Sequence, residues 1–298
     1  MPAISVVMPV YNRAAVVERA IRSVLDQDFA DFELIVVDDD STDATCDLIA
    51  AIDDARLTLI ALGANGGGNA ARNRGIEAAR SPLLAFLDSD DAYLPNKLGV
   101  VVRTFRERPA LDVLLDSYIK TYPGQDRPDE PLRNPLLDTN EAVLHALFTR
   151  RIWKATPGIT VRREAAFRAG LFDERLKRRQ DFDFIIRLAA VAECATTDQL
   201  LWIKSHTRDA ISADLRNYVA STLAFCERHP QYYGNPPYRR GLALDVARHF
   251  MRLIKRRDFA AIRRDARPLA LVFGKWGLVR LLTGGMRRLA AHRRFRRR

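Results

Sequence analysis

Two acidic clusters could do chemistry: Asp38-Asp39-Asp40-Ser41, after Ile35-Val36-Val37, and Asp88-Ser89-Asp90-Asp91, after Leu83-Leu84-Ala85-Phe86-Leu87. Like charges at this density repel, and a cation or a hydrogen-bonding ligand relieves the repulsion. Asp88 and Asp90 can face one hard cation only where the chain turns. A Mg2+ or Mn2+ held by one or two carboxylates completes its shell with phosphate oxygens and water. It then stabilises a departing diphosphate. A solvated acidic turn that caps the next helix has the same spacing. Asp39 can accept the imide N–H of uracil or thymine, and Tyr11 offers a ring on which a base stacks. A helix-capping acid and an ordinary loop tyrosine are their plainer uses.

Gly66-Gly67-Gly68, with Arg72 and Arg74 following, suits phosphate. Glycines let the backbone approach, a helix start favours anions, and Arg72 can supply a bidentate donor. A flexible turn with solvent-facing arginines reads the same way. Gly66 to Ala71 also satisfies the loose G-x-G-x-x-A fingerprint, with Asp88 about 20 residues on. That alternative is a dinucleotide-dependent oxidoreductase. It leaves Asp38 to Asp40 and Asp90-Asp91 unused, and it follows the third apolar run, not the first.

Gln180-Asp181-Phe182-Asp183 opens an apolar helical pattern. A carboxylate there can project into a cleft and take a proton from an acceptor hydroxyl, a role worth about 10²–10⁴ in rate. An N-cap with a first-turn acid explains the same residues. His206 could complete a metal site, contact phosphate, or be structural.

The elements that must position these groups alternate. Apolar runs predict strands at Ile4–Pro9, Glu33–Val37, Arg56–Leu62 and Leu83–Leu87. Helical spacing lies between them at Ala14–Asp26, Asp43–Ile52 (with Ser41 and Thr42 as caps) and Asn69–Ala79, and again from Pro95 to near Pro109. Alternation of this kind implies a parallel sheet with right-handed crossovers. Carboxylates at the ends of such strands lie where α/β proteins bind ligands. Further on, strands are expected at Asp112–Tyr122, Gly158–Arg162 and Leu200–Lys204, and helices at Glu141–Phe148, Glu164–Ala169, Asp181–Val191 and Asp209–Arg228. Pro123 to Pro135 reads as a surface loop, and three helical stretches close the chain.

The chain has 298 residues, enough for one large domain or two small ones. Three scattered cysteines show neither zinc spacing nor a disulfide framework, which suits a reducing compartment. Met1 to Ile4 lacks the pattern of a signal peptide. Charge is unevenly placed. Residues 239–298 hold 19 Lys and Arg against 3 Asp and Glu, while residues 1–238 hold 29 against 34. We therefore expect a body at 1–238 and a basic tail at 239–298.

In order along the chain, these residues resemble the family 2 glycosyltransferases with the GT-A fold. The resemblance runs through Ser5-Val6-Val7-Met8-Pro9-Val10-Tyr11-Asn12, Val37 to Asp43, Asn69-Ala70-Ala71-Arg72-Asn73-Arg74-Gly75 and Phe86 to Asp91. Pro95, Lys97, Gly170-Leu171-Phe172-Asp173-Glu174 and Gln180 to Asp183 complete it. It implies an α/β fold with a mostly parallel central sheet flanked by helices, a nucleotide-binding part at about 1–110 and an acceptor part at about 111–238, and a nucleotide-sugar donor, UDP- or dTDP-linked, with inversion at the anomeric centre. Pro9, Val10 and Tyr11 would line the base pocket and Asp39 would read the base. Arg72 would lie near base or diphosphate, Asp88 with Ser89 at ribose or metal, Asp90 on Mn2+ or Mg2+, and Asp181 would be the general base. The acceptor would be a glycan or lipid-linked glycan. Asp40 stands where the family usually has glycine, and Gln180 where glutamate is common. The arginine-tryptophan motif of processive synthases is not evident, so single-sugar transfer is expected. A non-catalytic sugar-nucleotide-binding or membrane-binding protein on the same fold is the other reading.

In the tail, Val272, Trp276, Val279, Leu282, Met286 and Leu289 fall on one helical stripe, with Arg280, Arg287 and Arg288 off it. This suits an anionic membrane surface, ahead of packing on the body or nucleic-acid binding. A cytoplasmic location, peripheral at the inner face of the membrane, is the expectation.

Overall fold

A computed structural model describes residues 1–205, 215, 217–274 and 277–286. They form two compact units, one of residues 1–147 and 151–208, the other of 148–150 and 209–298. The 238/239 division taken from charge falls inside a helix, so the change in charge is not a change in fold.

The first unit runs β1 (Ile4–Val10), α1 (Val17–Leu25), β2 (Phe32–Asp38), α2 (Thr45–Ala50), β3 (Leu57–Ala61), α3 (Gly68–Ala78), β4 (Leu83–Phe86), β5 (Ala92–Tyr93), α4 (Lys97–Glu107), β6 (Val113–Thr121) and β7 (Glu130–Leu132). It continues with α5 (Asn140–Phe148), a 3-10 turn (Thr156–Gly158), β8 (Ile159–Arg162), α6 (Arg163–Arg168), α7 (Gln180–Leu188) and β9 (Cys194–Ser205). The sheet order is β3-β2-β1-β4-β8-β6-β9-β5, with β7 paired to β6. β1 to β4 are parallel, as the alternation predicts. β8 runs antiparallel to β4 and β6, and β5 antiparallel to β9, so the sheet is mixed.

Every residue of β1 and β2 is buried. That is the state of strands covered on both faces, and it explains why they read as unbroken apolar runs. The helix α3 turns two faces to two tasks. Ala71, Gly75 and Ile76 are buried, and a Cβ on Gly75 would sit 2.4 Å from Val7 Cγ1 and 3.3 Å from Val37 Cγ2. Only glycine lets the helix lie this close to β1 and β2. On the other face, Asn69 donates to the carbonyls of Asp173 and Leu176, at 2.8 and 2.9 Å. Asn73 donates to Phe172 O and accepts from Phe172 N–H, both at 2.9 Å. The helix thereby ties the segment before α7 to the sheet.

The second unit contains α8 (Tyr218–Arg228), α9 (Gln231–Gly234), α10 (Pro236–Lys255), α11 (Phe259–Phe273) and a helix at Gly277–Met286. Phe148 stacks on Tyr238 with centroids 4.6 Å apart. Asp245 pairs with Arg150 and accepts from Tyr232 Oη. His249, stacked on Tyr218, meets Asp265 at 2.7 Å. The predicted tail stripe is interrupted. The helix α11 ends at Gly274, whose φ is +70°, and Trp276 and Leu289 lie outside the described residues. Among the described residues no single helix is long and apolar enough to cross a membrane.

Candidate active site

The chain winds outward from β1 to β2 to β3, then returns to place β4 on the other side of β1. Such a reversal opens a crevice beyond the carboxyl ends of the strands. Tyr11, Asp39 and Asp88 all lie just past the ends of β1, β2 and β4. Pro9 and Val10 are buried within β1, whereas Tyr11, past its end, is 44% exposed.

The turn after β2 is bolted to the turn after β1. Asn12 N–H donates to Ser41 Oγ at 2.9 Å, and Asn12 Oδ1 accepts from Thr42 N–H at 2.8 Å. Ser41 and Thr42 therefore do not cap α2, which has no side-chain cap. Asp40 adopts φ +67°. This left-handed conformation is one glycine takes at no cost and aspartate tolerates, and it explains the departure from glycine. Asp39 is 2% exposed, and its two carboxylate oxygens accept from Gly66 N–H and Gly67 N–H at 2.8 Å each. An ionised carboxylate has about four acceptor directions, so a base N–H can still be received.

Gly68 opens α3, and Arg72, one turn on, donates to Gly68 O, Asn69 Oδ1 and Asp88 Oδ1, the last at 2.6 Å. The guanidinium is thus committed to joining the glycine turn to Asp88. The two acidic clusters are linked through Gly66, Gly67 and Arg72, as the reading of one crevice requires. The dinucleotide fingerprint fits poorly: its glycines follow β3, and its acid is paired to an arginine.

Asp88 and Asp90 keep partial exposure, while Ser89 and Asp91 are buried. Burial first, and then the charge of Asp88, push the Asp90 carboxyl above its ordinary range. Burial drives Asp91 upward too, against the pull of Lys204. Lys204 Nζ lies 3.7 Å from Asp91 Oδ2. Burial opposes its charge, but Asp91, Asp88 and then Asp90 outweigh that and keep it protonated. Arg19 reaches from α1 to donate to Asp90 O at 2.6 Å and Ser205 Oγ at 3.0 Å. Pairing of β5 with β9, Ala92 opposite Ile203, brings these groups together. Sequence reasoning placed Asp91 in the acidic cluster but missed its partners Arg19 and Lys204, because the contacts span long separations in the chain.

Among the described residues no three His, Cys, Asp or Glu side chains are arranged to hold a metal ion by themselves. A magnesium or manganese ion with a phosphate-bearing substrate needs only one or two carboxylates. The hard oxygen donors of Asp88 and Asp90, near enough for the charge of one to act on the other, fit that role. His206 lies outside the described residues.

Asp181 sits in the first turn of α7 and is not its cap; that position is Arg179, at φ +64°, and no side chain caps the helix. Asp181 Oδ1 accepts from Phe182 N–H at 2.8 Å, and Oδ2 meets Lys154 Nζ at 2.9 Å. Its neighbour Asp183 is fully buried and serves Arg187 within the helix at 2.8 Å. Tyr118 of β6 stacks on Trp202 with ring centroids 4.3 Å apart. Burial pushes its phenol up to about 12; Lys204 pulls it down, and the charges of Asp91, Asp181 and Glu130 add to the rise.

A model of the family described as "Glycosyl transferase family 2" matches residues 5–175. The succinoglycan biosynthesis protein ExoO of Rhizobium meliloti is 49% identical over 98 residues, covering 33% of this chain and 28% of that protein. WfgD of Escherichia coli, a UDP-Glc:alpha-D-GlcNAc-diphosphoundecaprenol beta-1,3-glucosyltransferase, is 40% identical over 99 residues, covering 33% and 39%. The match thus spans less than half the length of either relative. Among solved structures, S. aureus TarS 1-349 in complex with UDP-GlcNAc superimposes with a TM-score of 0.64 at 22% identity, covering 84% of this chain and 73% of that one. At that identity the likeness speaks for the fold, which is GT-A.

Proposed function

The chain belongs to glycosyl transferase family 2, and on that premise we propose that it moves one sugar from a UDP- or dTDP-sugar to a hydroxyl of a glycan or lipid-linked glycan in cell-envelope polysaccharide synthesis, with inversion. The names of WfgD and ExoO support the acceptor and the pathway class, and the TarS complex supports a UDP-linked donor. The observation that carries the reading is the salt bridge from Arg72 to Asp88. It joins the glycine turn held by Asp39 to the acidic turn, so one nucleotide diphosphate can touch both.

In this reading the base stacks on Tyr11 and gives its imide N–H to Asp39. Arg72 fixes Asp88 toward ribose, with Ser89 beside it. Asp90, with Asp88, would hold Mn2+ or Mg2+, which supplies charge neutralisation for the departing diphosphate. Lys204 and Arg19 add fixed positive charge on the same side, aimed where negative charge develops. Asp181 takes the proton of the acceptor hydroxyl as its oxygen attacks the anomeric carbon. The bond from that carbon to the diphosphate oxygen breaks, and the electron pair leaves with the nucleotide. Lys154 holds Asp181 in place and must yield or share it when the acceptor arrives.

Asp181→Asn tests the base. Donor binding should be unchanged while transfer falls by at least about 10²-fold. Unchanged turnover, measured with the nucleotide-sugar that a hydrolysis screen identifies, removes Asp181 from the mechanism.

A further inference from the structure

The second unit carries a surface that the transferase chemistry does not use. Where α10 turns into α11, Ile254 is 51% exposed and Phe259 66%; further along α11, Leu271 is 87% and Val272 56% exposed. Lys255, Arg256 and Arg257 fill the turn, and Arg263, Arg264 and Arg267 lie exposed on α11. Ala260, Arg263, Arg264, Arg267 and Leu271 follow helical spacing and share one face. With Pro268 they line an open recess of about 510 Å³. The opposite face, Ala261, Asp265, Leu269 and Phe273, is buried.

Of the two acids on this stretch, one caps the helix and one is buried. Asp258 caps α11 by accepting from Ala261 N–H at 2.9 Å. Asp265 is 3% exposed and bound to His249 and Arg264. Lys255, Arg256, Arg257, Arg263, Arg264 and Arg267 therefore share the corner with exposed Phe259 and Leu271; Asp258 is the one exposed carboxylate among them, and Arg264 is tied to Asp265. A surface that only needed solubility would not expose such apolar groups, and contact with nucleic-acid phosphates would call on the guanidiniums alone. Apolar groups flanked by guanidiniums match the layered chemistry of an anionic leaflet, phosphate outside and hydrocarbon beneath.

We propose that the outward face of the α10–α11 corner, centred on Phe259, Arg263, Arg267 and Leu271, docks on an anionic lipid surface. This face adds to the Val272-to-Leu289 stripe, of which Val272, Val279 and Met286 are also exposed. The proposal stands apart from the transferase reading: its test is binding, so either can fail without the other. If both hold, the enzyme works where a lipid-linked acceptor resides.

The test is sedimentation of the full chain with phosphatidylcholine vesicles, with and without phosphatidylglycerol. Wild type should sediment with the anionic vesicles at low salt and be released at high salt. Arg263→Gln with Arg267→Gln should lower the partition coefficient by at least about tenfold. Phe259→Ser with Leu271→Ser should lower it on anionic vesicles at every salt concentration. All four side chains are exposed, so the fold tolerates these changes; circular dichroism checks that. Equal sedimentation with neutral vesicles, wild-type partitioning of both double variants, or binding of RNA or free pyrophosphate without binding of vesicles overturns the proposal.

Discussion

Lys204 is the counter-charge that lets three carboxylates share the turn after β4. Asp91 is 1% exposed at its side chain and Lys204 about a third exposed. Removing one partner of a fully buried pair costs about 3–5 kcal/mol because the other charge is left uncompensated. The partial exposure here reduces that to about 2 kcal/mol for Lys204→Met. Asp91→Asn in the same chain should restore most of the loss, and urea unfolding of the double-mutant cycle reads the coupling. Strictly additive losses would mean that Lys204 serves something else. Asp40 makes a second argument at this scale. Its φ of +67° costs an L-residue about 1 kcal/mol, while glycine pays in unfolded-chain entropy. Asp40→Gly should leave stability within about 1 kcal/mol of wild type, on the favourable side. A larger loss would show that the Asp40 side chain holds the turn.

At the scale of elements, α3 carries most of the positioning. Its buried face presses Gly75 on β1 and β2, and its polar face holds both Asp88 and the segment leading to α7. Gly75→Ala should cost about 1–3 kcal/mol through overpacking, with partial rescue by Val7→Ala. A neutral Gly75→Ala would contradict the close approach. The sequence made α3 and strands β1 to β4 legible because strands buried on both faces are continuous apolar runs. The two-residue β5 and three-residue β7 are too short for any period to emerge. The start of β9, Cys194 to Gln199, was hidden because its second half, Thr197 to Gln199, is polar and not buried. Ser41 and Thr42 looked like helix caps, but Asn12, 29 and 30 residues away, competes for both.

For the whole molecule, charge and fold divide the chain at different places. The acidic-to-basic change at residue 239 lies within α10, while the compact units part near residue 208. Composition counts residues without knowing which helix they share, so it could not find that junction. The candidate site was legible as far as local pattern reaches: Asp39, Arg72, Asp88, Asp90 and Asp181 each stand at a strand end or helix start. Arg19, Lys154 and Lys204 were not, because the third dimension brings them in. The central claim is that Asp39, Asp88 and Asp90 serve one nucleotide diphosphate together with a divalent ion. Calorimetric titration of UDP into the protein with Mn2+ tests it most directly. Binding should weaken by at least about tenfold, about 1.4 kcal/mol, when the metal is chelated and again in Asp90→Ala. UDP binding that ignores both the metal and Asp90 would contradict the account.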